Sequence, residues 1–472
     1  MQAVLQTYQD RLVDITGRSR SLVLRRLYKK RAFDMEQLNA FYPEHTSSFL
    51  IYLSARSRKA FSLLDDPYRD YQENEKQIKD RLEEQYKENQ KLLVNSLPVE
   101  ELEHALHKLE NQYQSDLAQA LEKNEERHEA LIVASRDINA LYRETNSIER
   151  ETGRRELFIG YPFVEGALFD KSFVRAPLLL FPVELVKDKN KWYLGHVEGA
   201  SPQLNKVFVF AHAKANQSSP PELEWELPTD TKSVDELVSQ VLADLENHGV
   251  TISDTSTQEV ERFPDYRRDN TPPYSPGTLF LKSHLILGQF PTSNSIYDDY
   301  SRLKERDIDE GPIASLLYTC DSSARNPFDE TEEPIRETDY FFISPLDHSQ
   351  EKALKKIGER NHLVIHGPPG TGKSETIANA IVDSLAKGKR VLMVSQKRAA
   401  LDVVHSRLAP LHSKMVLIYD GVSDKKKFYQ HVTGSLERIV QSPPSQSFSE
   451  AKTLSKQIDQ ELSLLQNSWI AL

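Results

Sequence analysis

An eight-residue stretch rich in glycine constrains this chain more than any other part of it. Residues 367–374 read Gly-Pro-Pro-Gly-Thr-Gly-Lys-Ser, a complete G-x-x-x-x-G-K-[ST] pattern. A strand-like run, 362–366, precedes it and a helical pattern follows it, which is the context that a phosphate-binding loop requires. Glycines let backbone N–H groups curl around a phosphate, and the N-terminus of the following helix adds its positive end. The stretch predicts a site for nucleotide phosphates, with an ordinary glycine turn as the alternative.

Three side chains in and ahead of this loop carry the predicted chemistry. Lys373 is expected to reach the β- and γ-phosphates and the Ser374 hydroxyl to ligate Mg²⁺, which makes both candidate catalytic residues. Gln350 lies seventeen residues before the first glycine, and its amide offers both a donor and an acceptor to an adenine edge. The predicted cofactors are ATP and Mg²⁺. The predicted nucleotide-binding residues are Gln350, Gly367, Pro368, Pro369, Gly370, Thr371, Gly372, Lys373, Ser374 and Glu375.

The C-terminal region alternates between strand-like and helix-like patterns. Strands are predicted at 362–366, 390–395 and 415–419, with helices at 373–387 and 399–408. A βαβαβ order of this kind predicts an α/β domain built on a parallel sheet with right-handed crossovers. A further polar helix is expected to begin near residue 449.

Polar and cationic residues follow the second predicted strand of this region. Ser395, Lys397 and Arg398 would lie at the carboxyl end of that strand, the edge at which open parallel sheets bind ligands. A hydroxyl and two cations there could hold a nucleic-acid backbone. They are the candidate nucleic-acid-binding residues, and a solvated turn is the alternative.

The rest of the chain divides by pattern into three further regions. Residues 1–67 read as a basic helical segment, 68–132 as an antiparallel helical hairpin or coiled coil interrupted at Pro98, and 133–340 as a mixed, β-rich accessory domain. The fourth region, 341–472, is the P-loop domain. Within the first, the cations between Arg18 and Arg31 are expected to line one face of a helix. Within the third, residues 206–212 read as a strand.

Charge is distributed unevenly along the 472 residues. The net charge is −11, yet residues 351–472 hold 18 basic and 11 acidic side chains, which leaves 42 basic and 60 acidic ones in the first 350. A basic C-terminal quarter is compatible with nucleic acid as a partner. A single cysteine excludes a disulfide framework and any Cys-cluster zinc site. The sequence shows no secretory signal and no membrane span, so a cytoplasmic location is expected.

The motifs together resemble those of a known family. Gln350, GPPGTGKSET and VLMVSQKRAALDVVHSRL, in this order, are similar to motifs Q, I and Ia of superfamily 1 DNA/RNA helicases of the Upf-like, senataxin-like branch. The stretches RETNSIERETGRRELFIGYPFVEG and FVRAPLLLFPVELV are similar to the domain of unknown function that precedes the motor in large bacterial helicases. The resemblance implies a RecA-like P-loop domain, ATP-dependent helicase activity, and single-stranded DNA or RNA as a partner.

The sequence departs from the family pattern after residue 408. A superfamily 1 motor needs an acidic Walker B motif and arginines from a second RecA-like domain. The sole Walker B candidate is the run ending at Asp420. We therefore expect the chain to stop inside the first motor domain and to need the remainder of the motor, from the same gene or a neighbouring one, as a partner.

Two other functions remain open from the residues. The chain could be a regulatory module that binds ATP and nucleic acid without turnover, or a P-loop ATPase of another class such as the long-coil, chromosome-organising type. The second is disfavoured, because in that class the P-loop precedes the coil.

Overall fold

The computed structural model describes the chain in segments. These are residues 5, 7–9, 19–55, 59–153, 155–218, 220–221, 233–254, 259–267, 270–291, 295–304, 306, 336, 338–359, 363–419, 425–441 and 448–470.

The chain divides into two compact units. One, the sheet unit, is formed by Arg11–Ser147 and Arg155–Ile296. The other, the P-loop unit, is formed by Met1–Asp10, Ile148–Arg154 and Tyr297–Leu472.

The described strands form one curled, nine-stranded sheet in the sheet unit. Its main path runs β1-β9-β3-β4-β5-β2, with β6 and the β7–β8 pair attached at β4 and β3. All pairings are antiparallel except the parallel β7–β8 pair. The strands are β1 (Ala32–Asp34), β2 (Phe61–Leu64), β3 (Leu157–Ala167), β4 (Phe173–Asp188), β5 (Lys191–His196), β6 (Gln203–Leu204), β7 (Ser253–Asp254), β8 (Leu279–Lys282) and β9 (Ile286–Gln289).

The long strand β4 causes the curl. Its first part pairs with β3 and its last part, from Val183, pairs with β5. Every residue of β3 is buried, and Phe163, Leu180 and Ile286 belong to the hydrophobic core against it. The sheet is mainly antiparallel, and its strands β1 and β2 come from the first 67 residues, where only helices were predicted.

Two long helices follow in the region for which an antiparallel hairpin or coiled coil was predicted. They are α2 (Pro67–Ser96) and α3 (Val99–Thr152), after a shorter α1 (His45–Ala55). Arg127 pairs with Asp70, and the Tyr86 and Tyr113 rings lie 4.9 Å apart, which places the two helices side by side and antiparallel.

Helix α3 continues twenty residues past the predicted end of the hairpin. Leu131, Ile138 and Leu141 are fully buried, so the heptad-like spacing persists where the helix lies on the sheet unit. Trp192 Nε1 of β5 donates to Ser135 Oγ at 3.2 Å. The predicted boundary at residue 132 therefore falls inside a helix.

Residues 206–212 form a helix, not the predicted strand. Helix α4 (Lys206–Ala215) begins after Asn205, whose side chain accepts from the Val207 N–H and donates to Ser21 O and Pro177 O. Its residues from Val207 to Ala213 are all buried. Burial on every side and a strong cap outweigh the β-propensity of Val and Phe. Helix α5 (Val234–Asn247) follows and is capped by Ser233.

The basic run ahead of β1 is a turn-rich segment, so the predicted amphipathic helix is wrong. Val23 forms an isolated bridge to Arg175 of β4, and Leu22 and Leu24 are buried against the sheet. Backbone hydrogen bonds to β4 compete with helix formation here.

The P-loop unit contains helices in its described residues. They are α6 (Ser295–Lys304), α7 (His348–Glu359), α8 (Lys373–Ala386), α9 (Arg398–Arg407), α10 (Lys425–Gln441) and α11 (Phe448–Ile470). Helices α8 and α9 pack through Ala378, Ile381, Val404 and Leu408. The bounds of α8 and α9 each lie within one residue of the helices predicted at 373–387 and 399–408.

The three predicted strands of this unit are not paired. Residues 363–366, 390–395 and 415–419 carry no strand assignment, so the predicted parallel sheet is not found among the described residues. Val364, Leu392 and Val394 are 78%, 87% and 82% exposed. A strand gains ladder hydrogen bonds only from a neighbouring strand, and none of these segments pairs with another.

Candidate nucleotide-binding site

The loop 367–374 has the backbone conformation that its glycines permit. Gly370 and Gly372 have φ of 87° and 72°, in the left-handed region that other residues rarely adopt. The Glu375 and Thr376 N–H groups donate to Gly372 O at 2.9 and 3.0 Å, so the loop leads directly into α8. A curled loop ending at the N-terminus of a fourteen-residue helix presents N–H groups and a positive helix end to an anion.

The Lys373 side chain folds back over this loop. Its ammonium donates to Gly367 O at 2.5 Å and to Pro368 O at 2.7 Å. A Cβ at position 367 would lie only 2.6 Å from Lys373 Cγ, so the Lys373 side chain packs directly against Gly367. These carbonyls are neutral partners, and a phosphate could replace them for the same ammonium. Ser374, next along, is half-buried in the first turn of α8.

Gln350 connects the segment before the loop to the loop itself. Its Oε1 accepts from Asp347 N–H at 3.1 Å, and its own N–H donates to Asp347 Oδ1 at 2.9 Å, which is a capping box at the start of α7. Its Nε2 donates to Thr371 O at 3.3 Å. Nε2 carries two hydrogens and Oε1 two lone pairs, so capacity for a further partner remains on both atoms.

This placement of Gln350 also requires glycine at 372. A Cβ there would lie 2.2 Å from Gln350 Nε2. The structure therefore brings the predicted adenine-binding and phosphate-binding residues together.

Two residues that sequence reasoning did not select hold the segment 340–344 against α8. Asn379 is fully buried; its Oδ1 accepts from Ile343 N–H at 2.8 Å and Ser344 N–H at 3.2 Å, and its Nδ2 donates to Ser344 O and Oγ. Asp383, one turn on, accepts from Phe341 N–H at 3.1 Å and pairs with Lys387 at 2.8 Å. Two polar residues spaced i, i+4 on the buried face of a helix were the available signal.

The predicted Glu375 lies close to the loop but has a partner on α9. Its carboxylate is 3.5 Å from Arg407 Nη1, and both side chains are partly exposed. This pair links the first turn of α8 to the last turn of α9.

The predicted nucleic-acid-binding residues lie around the start of α9. Ser395 Oγ accepts from Lys397 N–H at 3.3 Å, so the hydroxyl fixes the turn before the helix. Lys397 is exposed and forms no ion pair with any residue that the structure describes. Arg398 lies 4.0 Å over the Tyr419 ring and 3.7 Å from Asp402, so its charge is partly neutralised.

Burial, with the Asp402 carboxylate as a second cause, raises the pKa of the Tyr419 hydroxyl. Asp420, the Walker B candidate, lies outside the described residues. No group of His, Cys, Asp or Glu in the described part of the chain has the arrangement of a metal site. No described helix is long and apolar enough to cross a membrane.

Two family profiles match the chain. Residues 345–469 match an AAA domain (AAA_11), and residues 125–208 match a protein of unknown function (DUF4011). The first covers the P-loop, Gln350 and the start of α9, and the second covers the end of α3 with β3 to β6.

Several curated proteins are similar to parts of the chain. The "Uncharacterized ATP-dependent helicase MG140 homolog" of Mycoplasma pneumoniae is 28% identical over 297 residues, which is 62% of this chain and 25% of that protein. "DNA-binding protein SMUBP-2" of Rattus norvegicus is 32% identical over 124 residues, 25% of this chain and 12% of that protein. "DNA polymerase alpha-associated DNA helicase A" of Schizosaccharomyces pombe is 33% identical over 103 residues, 22% of this chain and 16% of that protein.

The matched part of this chain thus spans about a quarter of the length of its mycoplasma relatives. No solved structure matches it. The AAA domain match, the DUF4011 match on its N-terminal side and the helicase relatives confirm the resemblance to superfamily 1 helicases seen in the motifs.

Proposed function

We propose that this chain supplies the ATP-binding domain of a helicase or translocase that moves on single-stranded DNA or RNA by ATP hydrolysis. The observation that carries the proposal is the loop 367–374, with two left-handed glycines, in contact with Gln350 and followed directly by α8. Relatives named as ATP-dependent helicases and as DNA-binding protein support ATP and nucleic acid as ligands. A cytoplasmic location remains a prediction.

The residues of the loop fit a nucleotide triphosphate with Mg²⁺. Gly370 and Gly372 open the backbone N–H groups to phosphate oxygens, and α8 adds its positive end. Lys373 would exchange the Gly367 and Pro368 carbonyls for phosphate oxygens, a stronger, charge-assisted pairing. The Ser374 hydroxyl would hold Mg²⁺, which shields the phosphate charge.

Adenine selection is assigned to Gln350. The capping box with Asp347 fixes its side chain, and the contact with Thr371 O sets its distance from the loop. A fixed amide can offer one donor and one acceptor to the edge of adenine, while guanine presents the reverse pattern at the equivalent positions.

Contact with the phosphates of single-stranded nucleic acid is assigned to Ser395 and Lys397, at the start of α9. Lys397 provides an exposed, unneutralised cation, and sequence-independent phosphate contact needs such charges. Since Arg398 is engaged by Asp402 and Tyr419, we assign it a smaller share of the contact.

The test is steady-state phosphate release from ATP, measured with and without single-stranded DNA or RNA on the whole motor to which this chain is proposed to supply the ATP-binding domain. Release that rises with added strand and disappears in Lys373→Ala supports an ATP-driven motor. The control is Lys389→Ala, the same change at an exposed lysine just after α8. ATP binding without any phosphate release would favour the non-hydrolysing regulatory module. Phosphate release that is unchanged by added single-stranded nucleic acid would favour a P-loop ATPase of another class.

A further inference from the structure

A short, strongly basic turn lies in the sheet unit. It comprises residues 26–31, Arg-Leu-Tyr-Lys-Lys-Arg, and is called here the basic turn. Its backbone is fixed at both ends, since Tyr266 N–H donates to Arg25 O and Gln289 N–H donates to Arg31 O, each at 2.9 Å. Leu27 packs on the hydrophobic core below it. The sheet therefore presents this turn in a defined conformation.

The other side chains of the basic turn are exposed. Tyr28 is 50% exposed, with the Arg26 guanidinium 4.7 Å from its ring centroid. Lys29 lies 3.6 Å from Asp137 but stays 67% exposed. Lys30 and Arg31 form no ion pair with any described residue.

This composition stands out against the charge of the surrounding sequence. The first 350 residues carry 42 basic and 60 acidic side chains, yet four of the six residues in the basic turn are cations. Cations without acidic partners attract a polyanion, and an exposed aromatic ring with an arginine over it offers a stacking surface. Single-stranded nucleic acid supplies phosphates and unpaired bases together, whereas a duplex hides its bases and an acidic protein has none.

We propose that the basic turn binds single-stranded nucleic acid, with Arg26, Lys30 and Arg31 contacting phosphates and Tyr28 stacking on a base. This is a second strand-binding surface of the chain, separate from the start of α9. It rests on the proposed function only in sharing its ligand, because the basic turn belongs to the sheet unit, the P-loop belongs to the other unit, and binding at the basic turn is proposed to need no ATP.

The test is fluorescence anisotropy of a labelled single-stranded oligonucleotide with the full chain, in the absence of nucleotide. The first variant combines Arg26→Gln, Lys30→Gln and Arg31→Gln and leaves the Lys29–Asp137 pair intact. Its control combines Lys91→Gln, Lys108→Gln and Lys123→Gln, three exposed lysines on α2 and α3, and changes the net charge equally.

The salt dependence sets the expected size of the effect. Each phosphate contact to a single strand contributes a slope of about 0.7 in log K against log salt, which is roughly fivefold in affinity at 0.1 M salt. Loss of three contacts therefore predicts a decrease of up to about a hundredfold and a slope reduced by about 2. The control should change affinity by less than about threefold.

Substitutions of Tyr28 distinguish stacking of a nucleic-acid base on its ring from electrostatic attraction to any polyanion. Tyr28→Phe should keep binding, and Tyr28→Ala should weaken it roughly fivefold or more. Equal binding by wild type and the triple variant, or displacement by polyglutamate with no effect of Tyr28→Ala, would overturn the proposal. Absence of strand binding in the wild type would also overturn it, while Mg·ATP binding by the same preparation reports separately on the P-loop.

Discussion

Replacing Asn379 by alanine is expected to release the segment 340–344 from α8 without unfolding the helix. The Asn379 side chain makes four hydrogen bonds, two accepted from the N–H groups of Ile343 and Ser344 and two donated to Ser344. Alanine keeps the helix propensity and removes all four. Since this segment leads into α7, its release should also loosen Gln350.

The size of the effect follows from the count of bonds. A net hydrogen bond contributes about 0.5–1.5 kcal/mol, and the low end applies because Ile343 and Ser344 are only partly covered and can be rehydrated. Four bonds at about 0.5 kcal/mol give about 2 kcal/mol, or roughly a 30-fold increase in the population of the open segment.

Native-state hydrogen exchange measures this opening directly. The amide protons of Ile343 and Ser344 should exchange roughly 30-fold faster in Asn379→Ala. Asn111→Ala, the same change at an exposed position of α3, is the matched control and should leave both amides unchanged. Unchanged exchange in Asn379→Ala would refute the role assigned to this side chain.

Three further predictions concern the loop and the buried core of the sheet unit. Gln350→Ala should reduce the preference for ATP over GTP in calorimetry, since it removes the amide assigned to adenine; a constant affinity ratio would contradict that assignment. Gly372→Ala should weaken Mg·ATP binding roughly tenfold, because φ of 72° strains a residue with a side chain and because the added Cβ, 2.2 Å from Gln350 Nε2, would displace that amide from the loop. Burial lowers the pKa of His284 to about 4 and raises that of Asp34 to about 6, so acidification from pH 6.5 to 4 destabilises the fold through the first group and stabilises it through the second. The free energy of unfolding in urea should therefore fall over this pH range in Asp34→Asn and change little in the wild type. An equal fall in both proteins would show that Asp34 does not offset the effect of His284.

Much of the candidate site was predictable because it depends on local rules. The loop 367–374, the start of α8 at Lys373 and its end before Gly388 follow from glycine conformations and helix signals, and the structure agrees. The contact between Gln350 and Thr371 was not predicted, and the D-x-x-Q spacing of the capping box around Gln350 was a sequence signal that went unused.

Other features depend on contacts distant in sequence. Residues 206–212 have strand propensity but form α4, because Asn205 caps the helix with bonds to Ser21 and Pro177. The basic run before β1 has helical spacing but instead bonds to β4 through Val23. The buried Arg175–Glu165 pair at 2.9 Å joins the neighbouring strands β4 and β3, a contact that strand patterns do not specify.

The strands predicted in the P-loop unit mark a different limit. The apolar runs at 362–366, 390–395 and 415–419 predict a parallel sheet, yet the described residues of these runs form no ladder. An apolar strand-like pattern indicates that a segment is able to form a β-strand. The strand forms only when a second segment lies beside it and provides the ladder hydrogen bonds.

Calorimetric titration of Mg·ATP into the full chain tests the central assignment, that loop 367–374 is a nucleotide site. Lys373 brings the one full positive charge of the motif, and a hydrogen bond to a charged group contributes about 1.5–3 kcal/mol, so Lys373→Ala should bind roughly 10- to 150-fold more weakly than the wild type. Lys389→Ala should bind as the wild type does. Equal affinity of the wild type and Lys373→Ala, or no binding by the wild type, would contradict the assignment.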